Sequence, residues 1–373
     1  MFAKDAKNVI TELFSSAGVT INGNKPYDIQ IHDERFYQRV INHVFLGFGE
    51  SYMDGWWDCE RLDELIAKLA LAKLEDKIKG NWKIAWHLFR SRLFNLQKIS
   101  RAKEVGEKHY DIGNDLYVRM LDKRMNYTSA YWKNAKTLDE AQEAKLELIC
   151  RKLELEEGMK ILELGCGFGA FAGYAAEKYG VEVHGYTISK NQYEYAKERY
   201  KNLPVKFYLD DYRSARGKFD RVISIGIMEH VGYKNYRAYM ELVRETLKPD
   251  GIGFVHTIGR NESATTANPW LTKYIFPNGM LPSIAQLGKA MEGIFVMEDW
   301  HNFGPDYDKT LMAWYENINS AWKELGDKYD ERFKRMWNFY LLSSAAGFRA
   351  RETQLWQIVF THTGRKQPNS RIC

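Results

Sequence analysis

Ten residues constrain this chain more than any others: Lys160-Ile161-Leu162-Glu163-Leu164-Gly165-Cys166-Gly167-Phe168-Gly169. Ile161, Leu162 and Leu164 read as a buried strand, the glycines as a tight turn, and Phe171, Tyr174 and Ala175 as the opening of a helix. Glycine at alternate positions lets the backbone bend sharply and admit a ligand where a Cβ would clash. A strand that runs through such a turn into a helix is the nucleotide-binding opening of a doubly wound sheet. The spacing is not the G-x-G-x-x-G that cradles a pyrophosphate, and an acid, Glu163, stands at the strand end. An ordinary strand-to-helix turn uses one or two glycines and rarely needs three.

Downstream the pattern alternates strand and helix, which predicts a parallel sheet covered on both faces. Strands are expected over Val181–Thr187, Val205–Leu209, Phe219–Ile225 and Ile252–Val255, with Val296–Phe303 and Leu355–Thr361 closing the sheet. Thr137 with Glu140, and Ser189 with Gln192, read as capping boxes that start two helices. Ala141, Ala144, Leu148 and Ile149 give the first of these its buried stripe. Helices are expected over Thr310–Leu325 and Glu331–Phe348, and Asn261–Pro282 as a long loop of the kind that forms lids. Ligands bind beyond the carboxyl ends of such strands, where Glu163, Thr187, Asp211, Glu229 and His256 are expected to gather.

Residues 1 to about 65 read as a small α+β unit with an amphipathic opening helix, a strand near Val19–Gly23 and another at Ile29–Ile31. Gly47 to Trp57 is rich in glycine and aromatics, and Leu62 to about Gln97 reads as a basic helical segment. The net charge of +5 excludes a strongly basic nucleic-acid binder. The charge is uneven, however: Lys77, Lys79, Lys83 and Arg90 stand beside Trp82, Trp86 and Phe89, which suits either a core face or an interfacial one. The four cysteines, Cys59, Cys150, Cys166 and Cys373, have no C-x-x-C spacing, which fits a reducing cytoplasm and argues against structural zinc. No apolar run reaches the ~20 residues that span a bilayer. The expectation is a cytoplasmic protein divided at 1–98 and 99–373.

An acid followed by G-x-G-x-G suits S-adenosylmethionine, which needs a carboxylate near a cationic ligand and no pyrophosphate cradle. Glu163 is then expected to hold its amino-acid moiety, the glycine N–H groups its carboxylate, and Asp211 the adenine amine. The second strand ends in Tyr186-Thr187 without the usual acid for ribose hydroxyls, so Gln192 or a backbone group must serve. Glu229 and His256 lack a third ligand at zinc spacing.

Several stretches together carry a wider resemblance: Gly49-Glu50-Ser51-Tyr52-Met53-Asp54-Gly55-Trp56-Trp57, Tyr127-Thr128-Ser129-Ala130-Tyr131-Trp132, Glu163 to Gly169, Gly226 to Gly232, His256-Thr257-Ile258-Gly259, Tyr274 to Gly279 and Asp306-Tyr307. In these the chain closely resembles the long bacterial form of the cyclopropane fatty acid synthase family, over nearly its whole length. The resemblance implies an α/β, Rossmann-like S-adenosylmethionine-dependent methyltransferase sheet with helical lid insertions, plus a small N-terminal α+β domain. It implies methylene transfer to a cis double bond of a phospholipid acyl chain. A carbocation on that chain would be stabilised by aromatic faces, for which Tyr307, Tyr274, Phe276 and Trp132 are available.

Carried over residue by residue, the resemblance makes Glu229, His256, Tyr307, Ser129 and backbone Ile258 the catalytic set, around a bound bicarbonate that accepts the proton. It makes Tyr127, Thr128, Glu163, Gly165, Cys166, Gly167, Gly169, Thr187, Gln192, Asp211 and Tyr212 the cofactor set. Ser129 stands where many members have Cys, and Ser344 matches a further Cys of some members, so no thiol nucleophile is expected there. The resemblance also implies a homodimer acting on a phospholipid bilayer, with the basic N-terminal region docking on anionic head groups of the inner leaflet. Methyl branching without ring closure, and a catalytically silent lipid-binding relative, are the alternatives.

Overall fold

The computed structural model describes residues 2–73 and 113–372. The basic stretch with Lys77, Lys79, Lys83, Arg90, Trp82, Trp86 and Phe89 lies outside the described residues. The chain divides into two compact units, and the division does not follow the expected boundary at 98. One unit comprises Met1–Leu116, Asn268–Pro277 and Trp314–Glu352; the other comprises Tyr117–Ala267, Asn278–Ala313 and Thr353–Cys373.

In the first unit, helix Phe2–Ser16 leads to β1 (Gln30–Ile31), helix Arg35–Met53, β2 (Trp57–Asp58) and helix Leu62–Leu71. β1 and β2 pair antiparallel, and the strand expected at Val19–Gly23 shrinks to a bridge between Ile21 and Ile29. The reason is local. The Asp28 carboxylate accepts from the backbone of Thr20 (2.8 Å) and Lys25 (3.0 Å), and such side-chain turns compete with strand pairing. The glycine- and aromatic-rich segment is mostly helical, inside Arg35–Met53, and Gly49 serves packing. A Cβ on Gly49 would lie 2.5 Å from the Trp270 ring and 2.8 Å from Phe339. Phe48 stacks on Trp57 with centroids 4.4 Å apart, and Phe339 meets Phe48 edge-on. Trp270 belongs to helix Pro269–Tyr274, which replaces part of the expected long loop, and Phe339 to helix Glu331–Arg349. Aromatic burial is thus why these two distant segments group with the N-terminal residues.

The second unit is built on a seven-stranded sheet: β3 (Lys160–Leu164), β4 (Glu182–Thr187), β5 (Val205–Leu209), β6 (Phe219–Ile225), β7 (Leu247–Arg260), β8 (Val296–Asn302) and β9 (Thr353–Thr361). Their order is β5-β4-β3-β6-β7-β9-β8. β3 to β7 are mutually parallel, and β9 runs antiparallel between β7 and β8. Period-2 alternation sorts the side chains. Leu162, Leu164, Val222, Val255, Ile358 and Phe360 pack on one face with helices Tyr236–Thr246 and Ile284–Met291. Ile161, Ile223, Phe254 and Val359 pack on the other, beneath helices Leu138–Lys152 and Ala170–Tyr179. The same alternation sends Glu163, His256 and Gln357 to this second face.

Helix Leu138–Lys152 opens with the expected capping box between Thr137 and Glu140. Its buried side carries more than apolar residues, because Gln142, Lys145 and Lys152 are all sealed from solvent. Lys152 Nζ bonds Asp299 Oδ2 at 3.0 Å and His301 Nδ1 at 3.2 Å, while Arg371 reaches Asp299 Oδ1 at 3.1 Å. Removing one partner of a buried ion pair strands the other charge. Asp299→Ala is therefore expected to lower unfolding free energy by about 3–5 kcal/mol, whereas Lys152→Met, which leaves Asp299 with Arg371, costs less; urea titration of both variants checks the ordering.

Candidate active site

The glycine turn sits at the carboxyl end of β3. Gly165, Gly167 and Gly169 all have positive φ (79°, 54° and 78°). Their surroundings differ. A Cβ on Gly165 would collide with Ile227 at 2.0 Å and one on Gly169 would press on Phe207 at 2.8 Å, but one on Gly167 would meet nothing within 4 Å. Open space therefore lies over Gly167 alone. Cys166 is buried and its backbone N–H donates to Tyr186 O (2.8 Å), tying the turn to β4. Burial pushes its thiol well above the usual range, so it is a neutral wall of the turn.

Glu163 is fully buried, and its Oε2 has no hydrogen-bond partner among the described residues. Burial pushes its carboxyl up to about 8, against the opposing pull of Lys145 and the Ala172 N–H. A dry carboxyl with an unmet oxygen is what the amino group of S-adenosylmethionine would satisfy.

Thr128 is gripped from helix Leu138–Lys152. Gln142 Nε2 donates to its carbonyl (2.8 Å) and Lys145 Nζ to its hydroxyl (3.1 Å). Tyr127 meets Tyr117 edge-on at 5.1 Å, and Tyr117 in turn meets Phe168 of the glycine turn at 5.8 Å. At the end of β4 the second expected capping box is only half formed. Ser189 Oγ accepts from Gln192 N, but Gln192 Oε1 accepts from the Thr187 hydroxyl (2.9 Å) and does not return to the cap. This leaves the Gln192 amide nitrogen as the donor suited to a ribose hydroxyl. Asp211 caps the turn Tyr212–Ser214 and takes the Arg213 guanidinium through both oxygens (2.8 and 2.7 Å), which holds its carboxyl below the usual value. Each oxygen has a second lone pair, so an adenine amine can still be accepted. Tyr212 lies edge-on to the buried Tyr239 at 5.8 Å.

The acid-base residues lie on the adjoining strands. His256 is well inside the long strand β7, a correction to its expected place beyond the strand end; it pairs with Ile225, the last residue of β6, and so stands level with that strand's carboxyl end. Gln357 Nε2 faces His256 Nδ1 at 3.4 Å, which makes Nδ1 the acceptor and leaves the proton on Nε2. That Nε2 is buried and without a partner among the described residues. Burial, then the charges of Lys145 and Lys152, hold the ring far below its ordinary pKa, so it is neutral. Glu229 lies in the short helix Met228–Val231 and its Oε1 accepts from Ile258 N at 2.6 Å. Its Oε2 is buried and unpartnered among the described residues, and burial pushes the carboxyl up to about 7 against the Ile258 N–H.

Two of the expected site groups already have partners within the protein. The Ile258 N–H donates to Glu229. The Ser129 hydroxyl is buried and donates to Ala130 O (3.0 Å). Tyr307 is buried in the first turns of helix Gly304–Leu325. Among the aromatic residues, the Trp132 ring N–H donates to Thr310 (3.0 Å), while Tyr274 donates to Glu50 (2.9 Å) and Phe276 meets Tyr340 edge-on; Tyr274, Phe276 and Ser344 fall in the other unit. Sequence reasoning missed Gln142, Lys145, Thr310 and Gln357. Lys145 was detectable, since Ala141, Lys145, Leu148 and Lys152 recur at spacings of four, three and four on the buried stripe.

A family model described as mycolic acid cyclopropane synthetase matches residues 97–358. The chain belongs to this family. A cyclopropane-fatty-acyl-phospholipid synthase of Escherichia coli K12 is 51% identical over 353 residues, which is 95% of this chain and 92% of that protein. Two solved cyclopropane synthases share the fold. MmaA2 of Mycobacterium tuberculosis aligns with a TM-score of 0.63 at 27% identity, over 68% of this chain and 95% of its own. The mycolic acid cyclopropane synthase CmaA1, complexed with SAH and CTAB, aligns with a TM-score of 0.61 at 30% identity, over 68% of this chain and 95% of its own. The second unit thus carries the sheet of an S-adenosylmethionine-dependent cyclopropane synthetase.

A methyl placed in the open space over Gly167 should obstruct the donor more than the fold. Gly167→Ala is expected to weaken SAH binding by roughly tenfold or more, the equivalent of about 1–3 kcal/mol of overpacking, with a stability loss confined to the roughly 1–2 kcal/mol of a left-handed alanine. Gly165→Ala, which strikes Ile227, should lose stability as well; titration calorimetry and melting curves on both variants separate the two effects.

Proposed function

We propose that the chain transfers a methylene unit from S-adenosylmethionine to the cis double bond of an unsaturated phospholipid acyl chain, giving a cyclopropane ring. The observation that carries this reading is the 51% identity, along almost the full length, to the Escherichia coli synthase. The chemistry of the site is compatible. S-adenosylmethionine supplies, when bound, a methyl group activated by a sulfonium. Glu163 would hold its amino group and the glycine turn its carboxylate, with Gln192 and Asp211 toward the nucleoside. The alkene gains one methyl and loses one proton, a net gain of CH2, so the protein must exclude water, tolerate a carbocation and direct a proton away.

Proton handling falls to Glu229 and His256. A neutral His256 donates from Nε2, and Glu229 Oε2 accepts, so together they can hold a bicarbonate that supplies a base of suitable strength. The Ile258 N–H fixes the Glu229 carboxylate from behind, and Gln357 fixes the imidazole tautomer. Tyr307 and Trp132 are the aromatic residues of this unit proposed to face the cation.

The same proposal has the enzyme working from the cytoplasmic side of a bilayer as a homodimer. What supports docking is the run of basic residues beside Trp82, Trp86 and Phe89, together with the fact that no helix among the described residues is long and apolar enough to cross a membrane. Dimer formation rests on the family resemblance.

Purified protein given S-adenosylmethionine and monounsaturated phospholipid vesicles should add the mass of one CH2 per double bond, with the double bond lost; a mass gain that retains the double bond would indicate methyl branching instead. Glu229→Gln should still bind SAH but lose turnover by ~10²-fold or more, and unchanged turnover would remove proton handling from that residue. Because the folded-state pKa of about 7 lies above the ordinary 4.5, the native carboxyl favours folding while protonated and penalises it as pH rises through that interval. Glu229→Gln should therefore be more stable than wild type by roughly 1–3 kcal/mol at pH 8, with the difference gone near pH 4, in denaturant titrations. Reversing the charges of Lys77, Lys79, Lys83 and Arg90 should weaken binding to anionic vesicles in flotation assays; binding indifferent to these changes and to salt sinks the docking surface.

A further inference from the structure

The mechanism above leaves one buried cation unused. Lys145 is sealed from solvent in the middle of helix Leu138–Lys152, and unlike Lys152 it forms no ion pair within bonding distance among the described residues. Its Nζ donates to Asn126 Oδ1 (2.8 Å) and to Thr128 Oγ1 (3.1 Å). Asn126 is itself held by Asp122, through its backbone N–H (2.7 Å) and its side-chain amide (2.9 Å). One turn back on the same helix, Gln142 clamps the Thr128 carbonyl. Burying a lysine without a contact ion pair costs several kcal/mol, and a methionine would fill the same volume at no such cost. A structural role for the charge is therefore a poor explanation.

The sheet alternation supplies another. Glu163 points to the face that this helix covers, and Lys145 is the cation whose charge opposes the burial effect on that carboxyl. We propose that Lys145 is a positioning residue for cofactor binding: it fixes the Thr128 hydroxyl and, from the helix that covers the Glu163 face of the sheet, draws that carboxyl toward the ionised form that meets the cofactor's amino group. This rests on the cofactor reading of the glycine turn. The groups facing the pair are few. Glu163 is approached by Lys145 from helix Leu138–Lys152, by the Ala172 N–H from helix Ala170–Tyr179, and by the thiols of Cys150 and Cys166, which burial keeps neutral. Burial brings Lys145 down to about 8, against the pull of Asp122 and Glu163, so wild type itself sheds this charge between pH 7 and pH 9; while present, the charge also reaches the neutral His256.

The test is SAH affinity by calorimetry between pH 7 and pH 9 for wild type, Lys145→Met and Lys145→Gln, with melting curves as the check on folding. Without the ammonium, Glu163 takes up its proton at higher pH, so Lys145→Met should bind SAH about tenfold or more weakly at pH 7. The ratio to wild type should narrow as pH rises to 9, and titration of SAH itself cancels in that ratio. Lys145→Gln, which keeps a donor for Thr128 but not the charge, should show the same pH-dependent ratio and carries the test if the methionine variant does not fold. A ratio equal at pH 7 and pH 9, or within twofold throughout, would reduce Lys145 to packing. Wild type that fails to bind SAH would instead overturn the cofactor reading, and this proposal with it.

Discussion

Charge sealed between helix Leu138–Lys152 and one face of the sheet is the constraint on which the catalytic unit depends. Two lysines seven residues apart, Lys145 and Lys152, point the same way, and their charges have different fates. Lys152 is neutralised on the spot by Asp299, itself backed by Arg371. Lys145 has only polar contacts, so its field extends across the face to Glu163 and His256. In low dielectric such a field acts over several ångströms without screening. It favours the carboxylate of one residue and the neutral imidazole of the other. A single buried cation without a contact ion pair thus biases two protonation equilibria that burial dominates, one in the cofactor half of the site and one in the acid-base half.

The cost of this arrangement is visible in the unmet oxygens and nitrogen. Glu163 Oε2, Glu229 Oε2 and His256 Nε2 are all buried without partners among the described residues, and each such group costs about 1–3 kcal/mol. Nothing in the packing requires them, since leucine or methionine would fill the same space. They are tolerable because the two hydrophobic layers on either side of the sheet are otherwise apolar and continuous. Ligands that satisfy those atoms return the lost free energy as binding, so the native state gains stability as it fills. The site is therefore a region where local instability and affinity have one physical origin.

Much of this was legible in the sequence because it depends on short-range rules. The strand–glycine turn–helix unit, the strand endpoints of β5 and β6, and the Thr137 cap follow from alternation, glycine and capping chemistry within a few residues. The half-formed cap at Ser189 was not legible, because Gln192 had a competing partner in Thr187 that only the bend after β4 brings near. The commitment of the Ile258 N–H was equally hidden, since it depends on a carboxylate from a different strand-to-helix turn. Gly47 to Trp57 resisted reading for another reason. Of its three glycines, Gly49 makes room for Trp270 and Phe339, more than two hundred residues away in sequence, while Gly55 has positive φ and meets nothing within 4 Å. Spacing reports periodicity; it does not report which distant ring will fill the gap.

The division into units follows from that same long-range packing. Helices Pro269–Tyr274 and Glu331–Arg349 are inserted between strands of the catalytic sheet in sequence, yet they bury their aromatic faces with the N-terminal helices. Charge reinforces this. Glu50 of helix Arg35–Met53 accepts from Arg39 (3.0 Å), Lys273 (2.7 Å) and Tyr274 (2.9 Å), and burial makes such a cluster costly to break in part. Arg349 likewise pairs with Asp63, which is almost fully buried. The N-terminal residues are thus no detachable appendage. Deleting them would expose the Trp270 and Phe339 faces and strand Lys273 and Arg349 without their acids.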